Sequence, residues 1–230
     1  MSELTDLAKA HTLDIFRCLD GERRGRVLRF LIDADLIYRD RLVLELRGAD
    51  LRNIMLEGVD LRRISLSGTD LRDACLVEAK LSGAVLSDVD LRGSNLHDAE
   101  LIETDLRRVN LSGANLQRAI LTRAKLNMAE MEEINLQEAY LEGADLEGAK
   151  LVNSDMSGAY LMDAVMQRAC LRGAKLRNAF LDGIDLSESD LTGVDFEGAV
   201  LSKAILLEAK VTKAQLASAK TLENAILQEN

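Results

Sequence analysis

The residues of this chain that could do chemistry are few and regularly spaced. Its two histidines, His11 and His97, stand 86 residues apart, so one chain supplies neither a His-dependent catalytic triad nor a multi-His metal site. Asp50, Asp70 and Asp90 recur every twenty residues. If twenty residues make one coil, they stack into a carboxylate column of the kind that chelates calcium. Arg52, Arg72 and Arg92 repeat beside them at the same spacing, and a parallel guanidinium column turns the acidic one into structural charge pairing instead. Asn95, Asn115 and Asn135 form a third column, read as an amide ladder. Ser94, Ser154 and Ser189 fall among positions restricted to small residues and read as packing residues, not nucleophiles. The glycines mark repeated corners, as at Gly48, Gly58, Gly68, Gly83 and Gly93, and make no phosphate-binding loop. The expectation is no metal, no cofactor and no enzyme.

What positions these columns is a five-residue repeat. From Leu46 to Leu216 every fifth residue is apolar, giving 35 consecutive centres of which 30 are Leu and the rest Met131, Met156, Met166, Phe196 and Val211. The residue two places before each following centre, from Ala49 to Ala219, is Ala in 22 of 35 cases and never charged. Five residues advance a helix face by about 140° and flip a strand to its other side, so a straight element would scatter the leucines. They share one interior only if the chain turns a corner once per pentad. Four near-right-angle corners close a square coil, and coils stacked at ~4.8 Å satisfy one another's backbone groups. The second inward residue has to be small because the square leaves no room beside the leucine. On this geometry Cys75 and Cys170 are ~23 Å apart along the rod and cannot join. With Cys18 they read as free thiols of a reducing compartment.

Strings such as GADLRNIMLEGVDLRRISL, GANLQRAILTRAKL and GADLEGAKLVNSDMSGAYL resemble the A(D/N)LXX pentapeptide-repeat proteins over roughly residues 44 to 219. The resemblance implies an all-β solenoid, a right-handed quadrilateral β-helix. At four pentads per coil the repeat makes about nine coils and a rod ~42 Å long. Such a solenoid needs covered ends. Residues 1–43 depart from the pentad: Leu13, Phe16 and Leu19 fit one helical stripe, and Val27, Leu28, Phe30, Leu31 and Ile32 fit a second beyond Asp20-Gly21. They read as a helical N-terminal cap over the first open β edge. Arg23, Arg24, Arg26 and Arg29, interleaved with Asp20, Glu22 and Asp33, read as a solvated helix face, with an anion or membrane contact as the alternative. After Ala219 the pattern resumes one residue late as Leu222, Ala225 and Leu227, so 220–230 reads as a C-terminal cap or tail, a dimerisation segment being the alternative.

The 230 residues carry 29 Lys and Arg against 39 Asp and Glu, a formal charge of −10. This disfavours direct nucleic-acid binding and leaves DNA mimicry open. No long apolar run and no export signal are present, so no membrane span and a cytoplasmic setting are expected. In a square coil the residue before each centre faces solvent. Three of the four outward columns are mainly polar, whereas the fourth runs Asp60, Lys80, Glu100 and then Ile120, Tyr140, Tyr160, Phe180 and Val200, with Ile102 and Met162 beside it. These seven apolar residues are the candidate partner-binding site, ~19 Å tall, facing another protein or a second copy in a homodimer. The competing account is that ring stacking only stabilises the ladder. The leading function is a non-catalytic protein–protein interaction module or scaffold. The alternative, drawn from DNA-mimicking members of the family, is binding of a type II topoisomerase with gyrase inhibition or quinolone protection. Arg52, Arg62, Arg63, Arg72 and Arg92 interrupt the acidic surface that mimicry needs.

Overall fold

A computed structural model describes residues 2–227. Helices α1 (Ser2–Cys18) and α2 (Gly21–Asp33) lead into an antiparallel hairpin of β1 (Ile37–Tyr38) and β2 (Arg41–Leu42). The chain then winds as a solenoid that finishes in β3 (Ile205–Leu206), α3 (Lys213–Leu216) and β4 (Ile226–Leu227), with β3 and β4 parallel. Between the hairpin and β3 the ladder consists of single-residue parallel bridges. Each joins a residue to the one twenty further on, from Asp50 with Asp70 to Asp190 with Lys210. Two corner residues in every five leave only one outward residue between corners, so the β character shows as bridges and hardly at all as strands.

Each corner has the same chemistry. The centre carbonyl accepts from the N–H three residues later, as Leu46 O does from Ala49 N–H at 2.8 Å. The third residue of that turn is left-handed, as in type II turns, at all 33 positions from Gly48 to Glu208, of which 13 are glycine and 20 are not. A side chain there costs about 1–2 kcal/mol, and the inter-coil bonds hold the backbone in place against it. Leu51 N–H donates to Asp70 O at 2.8 Å, and Asp70 N–H donates back to Ala49 O at 3.0 Å. The centres and the small residues preceding them fill one continuous dry core from Leu46 to Leu206.

The N-terminal segment lies against the first coil. Gly21 and Gly25, one turn apart on α2, face its carbonyl edge: a Cβ on Gly25 would come within 2.7 Å of Met55 O, and one on Gly21 would overlap Asn53 O. Asp20 caps α2 by accepting from Arg23 N–H at 2.8 Å. The hairpin completes the edge, with Arg39 N–H on Arg63 O and Ser65 N–H on Ile37 O, both at 2.8 Å. Two expectations are corrected here. Phe30 is 66% exposed, because the buried stripe of α2 runs through Arg24, Gly25, Leu28, Leu31 and Ile32 and Phe30 points away from it. Arg24 is no solvated residue but 7% exposed, drawn inward by carbonyl acceptors that only a guanidinium fork reaches. Arg23 and Arg26 do remain exposed beside Asp20 and Glu22.

At the other end Leu191 N–H still bonds Lys210 O in register, whereas Leu201 N–H reaches Thr221 O, one residue late. Helix α3, with a capping box between Thr212 and Gln215, and a bulge of Lys220-Thr221 opposite Val200 take up the extra residue. Ile226 and Leu227 of β4 are exposed. Residues 228–230 of the expected terminal segment lie outside the described chain. No described helix is long and apolar enough to cross a membrane.

Candidate functional site

The bridges place Ile120, Tyr140, Tyr160, Phe180 and Val200 in one vertical column, each paired to the next. The rings stack in parallel: Tyr140 and Tyr160 have centroids 4.8 Å apart and planes 2° from parallel, and Tyr160 and Phe180 follow at 4.9 Å and 5°. The backbone makes this stack rigid, since Tyr160 N–H donates to Ala139 O at 2.9 Å while Tyr160 O accepts from Leu141 N–H at 2.7 Å. Tyr140 and Phe180 remain 40% and 39% exposed, and Ile120, Tyr160 and Val200 are half-buried. Met162 and Ile102 stand in the neighbouring corner row three coils apart, with Thr122 and Glu142 between them. Met162 therefore adjoins the level of the rings, while Ile102 lies above Ile120, away from them.

The carboxylate column is occupied by its own arginines. Arg52 grips Asp50 with two bonds of 2.9 and 2.8 Å, and Asp70 with Arg72 and Asp90 with Arg92 repeat the fork. Hydrogen bonds from Arg52 pull the Asp50 carboxyl down to about 2, against the opposing effect of burial. Asn115 and Asn135 each donate to the amide oxygen one coil back at 3.1 Å. Ser94 and Ser189 bond the carbonyls of Leu91 and Leu186 at 2.6 and 2.5 Å, while the buried Ser154 hydroxyl has no hydrogen-bond partner among the described residues. A concavity of about 360 Å³ opens where the cap meets the coils, lined by Tyr38, Asp60, Arg62, Arg63 and Ser82. Its ionic groups pair with each other or with neighbours, Asp60 with Arg62 and Arg63 with Asp40. Arg62 hydrogen bonds hold Asp60 below the usual carboxylate range, away from that of a general base at neutral pH.

Eight copies of the family described as pentapeptide repeats match the chain, over residues 45–83, 76–108, 84–123, 99–137, 139–178 and 179–216. The chain belongs to the pentapeptide-repeat family. Among solved structures this pentapeptide-repeat protein is similar to HetL, a pentapeptide repeat protein involved in heterocyst differentiation regulation from the cyanobacterium Nostoc sp. strain PCC 7120. Identity is 29%, covering 88% of this chain and 94% of HetL, with a TM-score of 0.50. It is also similar to full-length QnrB1, a plasmid-mediated fluoroquinolone resistance protein, at 17% identity over 77% of this chain and 92% of that one, TM-score 0.43. No curated protein matches it. Structural neighbours of this family are right-handed quadrilateral β-helices, the hand that spacing alone leaves open.

Acidic residues without cationic partners among the described residues border the ring stack of this pentapeptide-repeat protein. Glu138 borders the rings on the corner entering their side, and Glu142, Asp163 and Asp182 on the corner leaving it. Among the described residues none of these four has a cation within ion-pair distance, although Asp98 and Glu103 higher on the same corners are matched by Arg118 and Arg123. The sequence signal for this was the loss of arginine twenty residues on, which shows only when corners are compared between the two halves of the rod.

Proposed function

We propose that this protein is a non-catalytic docking module that receives another protein on the face of Ile120, Tyr140, Tyr160, Phe180 and Val200, with Met162 and Ile102 at its margin. The observation that carries this reading is the flat ring stack held partly in water on one face of a rod whose other faces are mainly polar. Covering apolar surface is worth about 25 cal/mol per Å². Stacking explains why the rings are neighbours, but Ile120 and Val200 continue the apolar column beyond the last ring on each side. Charge pairs and an amide ladder support much of the remaining columns, where exposed or half-buried apolar residues such as Met55 and Val165 stand singly. Regulation by HetL, as its description states it, is the kind of role that runs through contacts with other molecules. A second copy of the chain, giving a homodimer, is an occupant the same test detects. Free Cys18, Cys75 and Cys170 suit a reducing, cytoplasmic setting.

DNA mimicry of a topoisomerase substrate is the weaker reading. Residues 44–125 carry 12 basic and 13 acidic side chains, so half the rod presents almost no net charge. A supercoiling assay with gyrase is expected to show neither inhibition nor protection from quinolones. The docking face itself is tested with Tyr140→Lys, Tyr160→Lys and Phe180→Lys combined. Sedimentation and capture of a partner should both report lost association while the β circular-dichroism signal persists. Association unchanged in that variant would remove the reading.

A further inference from the structure

Resting on that docking face, we infer that its occupant is an amphipathic helix of a partner protein, lying along the rod axis with one apolar stripe between two rows of Lys or Arg. The repeat distance selects a helix. A helical stripe advances by ~5.4 Å per turn, so against rings 4.8 and 4.9 Å apart it drifts by only about 1 Å from Tyr140 to Phe180. A strand laid the same way puts same-side residues ~6.7 Å apart and is nearly 4 Å out of step over the same three rings. Nor can a strand add itself by hydrogen bonding. The backbone groups of this column are already spent within the rod, Tyr140 N–H on Ala119 O and Phe180 O on Leu161 N–H.

Charge selects the flanks. The four carboxylates Glu138, Glu142, Asp163 and Asp182 border the column, three of them on the corner leaving it, with no cation within ion-pair distance among the described residues. By contrast, Arg118, Arg123 and Arg177 on the same corners are engaged by Asp98, Glu103, and Asp195 with Glu197, and Lys203 stands at the Val200 end. Residues 126–219, which hold the ring stack, carry 8 basic and 16 acidic side chains, a net −8, whereas residues 44–125 carry a net −1. The negative charge of the rod is therefore concentrated in the half that holds its apolar column. A cationic helix is steered to it and then anchored by it. From Ile120 to Val200 the column is four spacings or ~19 Å tall, the length of about thirteen helical residues.

The test uses three labelled peptides of about eighteen residues each, ~27 Å when helical, titrated against the full chain by fluorescence anisotropy. The first places Leu at helical spacing between Lys rows. The second has the same composition in strict alternation, and the third replaces Lys by Glu in the first. The helical cationic peptide should bind at least about tenfold more tightly than either other, a gap of roughly 1.4 kcal/mol. Removing the rings without changing charge (Tyr140→Thr, Tyr160→Thr, Phe180→Thr) should weaken it about tenfold, and so should E138Q, E142Q, D163N and D182N together. E132Q, E133Q, E188Q and E208Q, four carboxylates of the same half on other faces, should leave it unchanged. If the triple Thr variant loses its β signal, Phe180→Thr alone takes its place. Equal binding of the alternating or the acidic peptide, still dependent on the rings, overturns the helix and leaves the docking face standing. Binding of the helical peptide that ignores loss of the rings overturns both.

Discussion

Arg24 places its guanidinium Nη2 3.1 Å from the Asp50 carboxylate while donating to Phe16 O at 2.8 Å and Arg52 O at 2.6 Å. One buried side chain thus joins the end of α1, the first turn of α2 and the first coil. Arg24→Met removes the charge but keeps the stem, leaving two carbonyls without a donor and Asp50 with Arg52 alone. Loss of one partner from a buried pair costs about 3–5 kcal/mol, and the remaining Arg52 contact reduces this to an expected ~2–3 kcal/mol in urea melts. Hydrogen exchange should rise in α1, α2 and residues near Asn53 before it rises near Leu141. Arg24→Lys should rescue only part of the loss, since an ammonium lacks the planar fork. Wild-type melting of Arg24→Met would place the hold on the cap elsewhere.

Acid should weaken the rod through the same carboxylates. Asp50 is pulled down to about 2, chiefly by Arg52, and Asp60, Asp88, Asp98 and Asp105 are lowered by hydrogen bonds from Arg62, Arg108, Arg118 and Arg107. A carboxyl whose folded pKa is depressed contributes stability that is whole above its unfolded value, near 4, and is lost as pH falls toward the folded value. Calorimetry should find Tm nearly flat from about pH 6 to pH 4 and falling steeply from there toward pH 2. Asp50→Asn should flatten that fall by about 1–2 kcal/mol, after allowance for solvent screening. A Tm that rises on acidification in this window would contradict these pairings.

Gly21 and Gly25 reverse the usual ranking of helix formers. In an open helix, Gly→Ala stabilises by up to about 1 kcal/mol. Here the added methyl meets the Asn53 and Met55 carbonyls, so α2 would have to lift off the coil. Gly21→Ala is expected to destabilise by about 1–3 kcal/mol, and Gly25→Ala by less, since Met55 O lies further from its Cβ at 2.7 Å. Thermal melts of the two variants decide the sign.

The core was legible because one short period writes it: a polar or charged residue at any of the Leu46-to-Leu206 centres would have broken the reading, and none occurs. The columns follow from the same period, since residues twenty apart such as Tyr140, Tyr160 and Phe180 fall one above another. The cap was less legible. Arg24 and Phe30 exchange the places their polarity gives them: the coil edge offers carbonyls that a guanidinium satisfies, and Phe30 lies off the buried stripe of α2. The acidic margins were missed for a different reason. Glu138 and Asp163 look ordinary one by one, and what sets them apart is that no cation among the described residues comes within ion-pair distance of them.

Ser154 shows how the small inward position discriminates. Ser94 and Ser189 each spend their hydroxyl on the carbonyl three residues back, but the Ser154 hydroxyl, equally buried, finds no acceptor among the described residues. A buried hydroxyl without a partner costs about 1–3 kcal/mol, and alanine is the commonest residue at this register. Ser154→Ala should therefore raise stability by about 1 kcal/mol, whereas Ser94→Ala should be neutral or destabilising. Denaturant midpoints measured side by side provide the check, and a loss in both variants would show that Ser154 does satisfy its hydroxyl.

Tyr160 separates stacking from docking, because it alone has a ring on each side. If the column exists only to support the rod, a Tyr140/Tyr160 double-mutant cycle with alanine should yield the whole effect as stability, a coupling of about 0.5–1 kcal/mol. Docking adds a second quantity that stability does not contain. Tyr140→Ala at the upper end of the stack loses one neighbour and Tyr160→Ala loses two, so Tyr160→Ala should cost more stability. Tyr140 is the more exposed of the two, so Tyr140→Ala should cost at least as much affinity for a bound partner or second copy. Opposite rank orders in melting and in binding are the expected result. The same order in both, with affinity loss tracking unfolding, would reduce the column to a structural support.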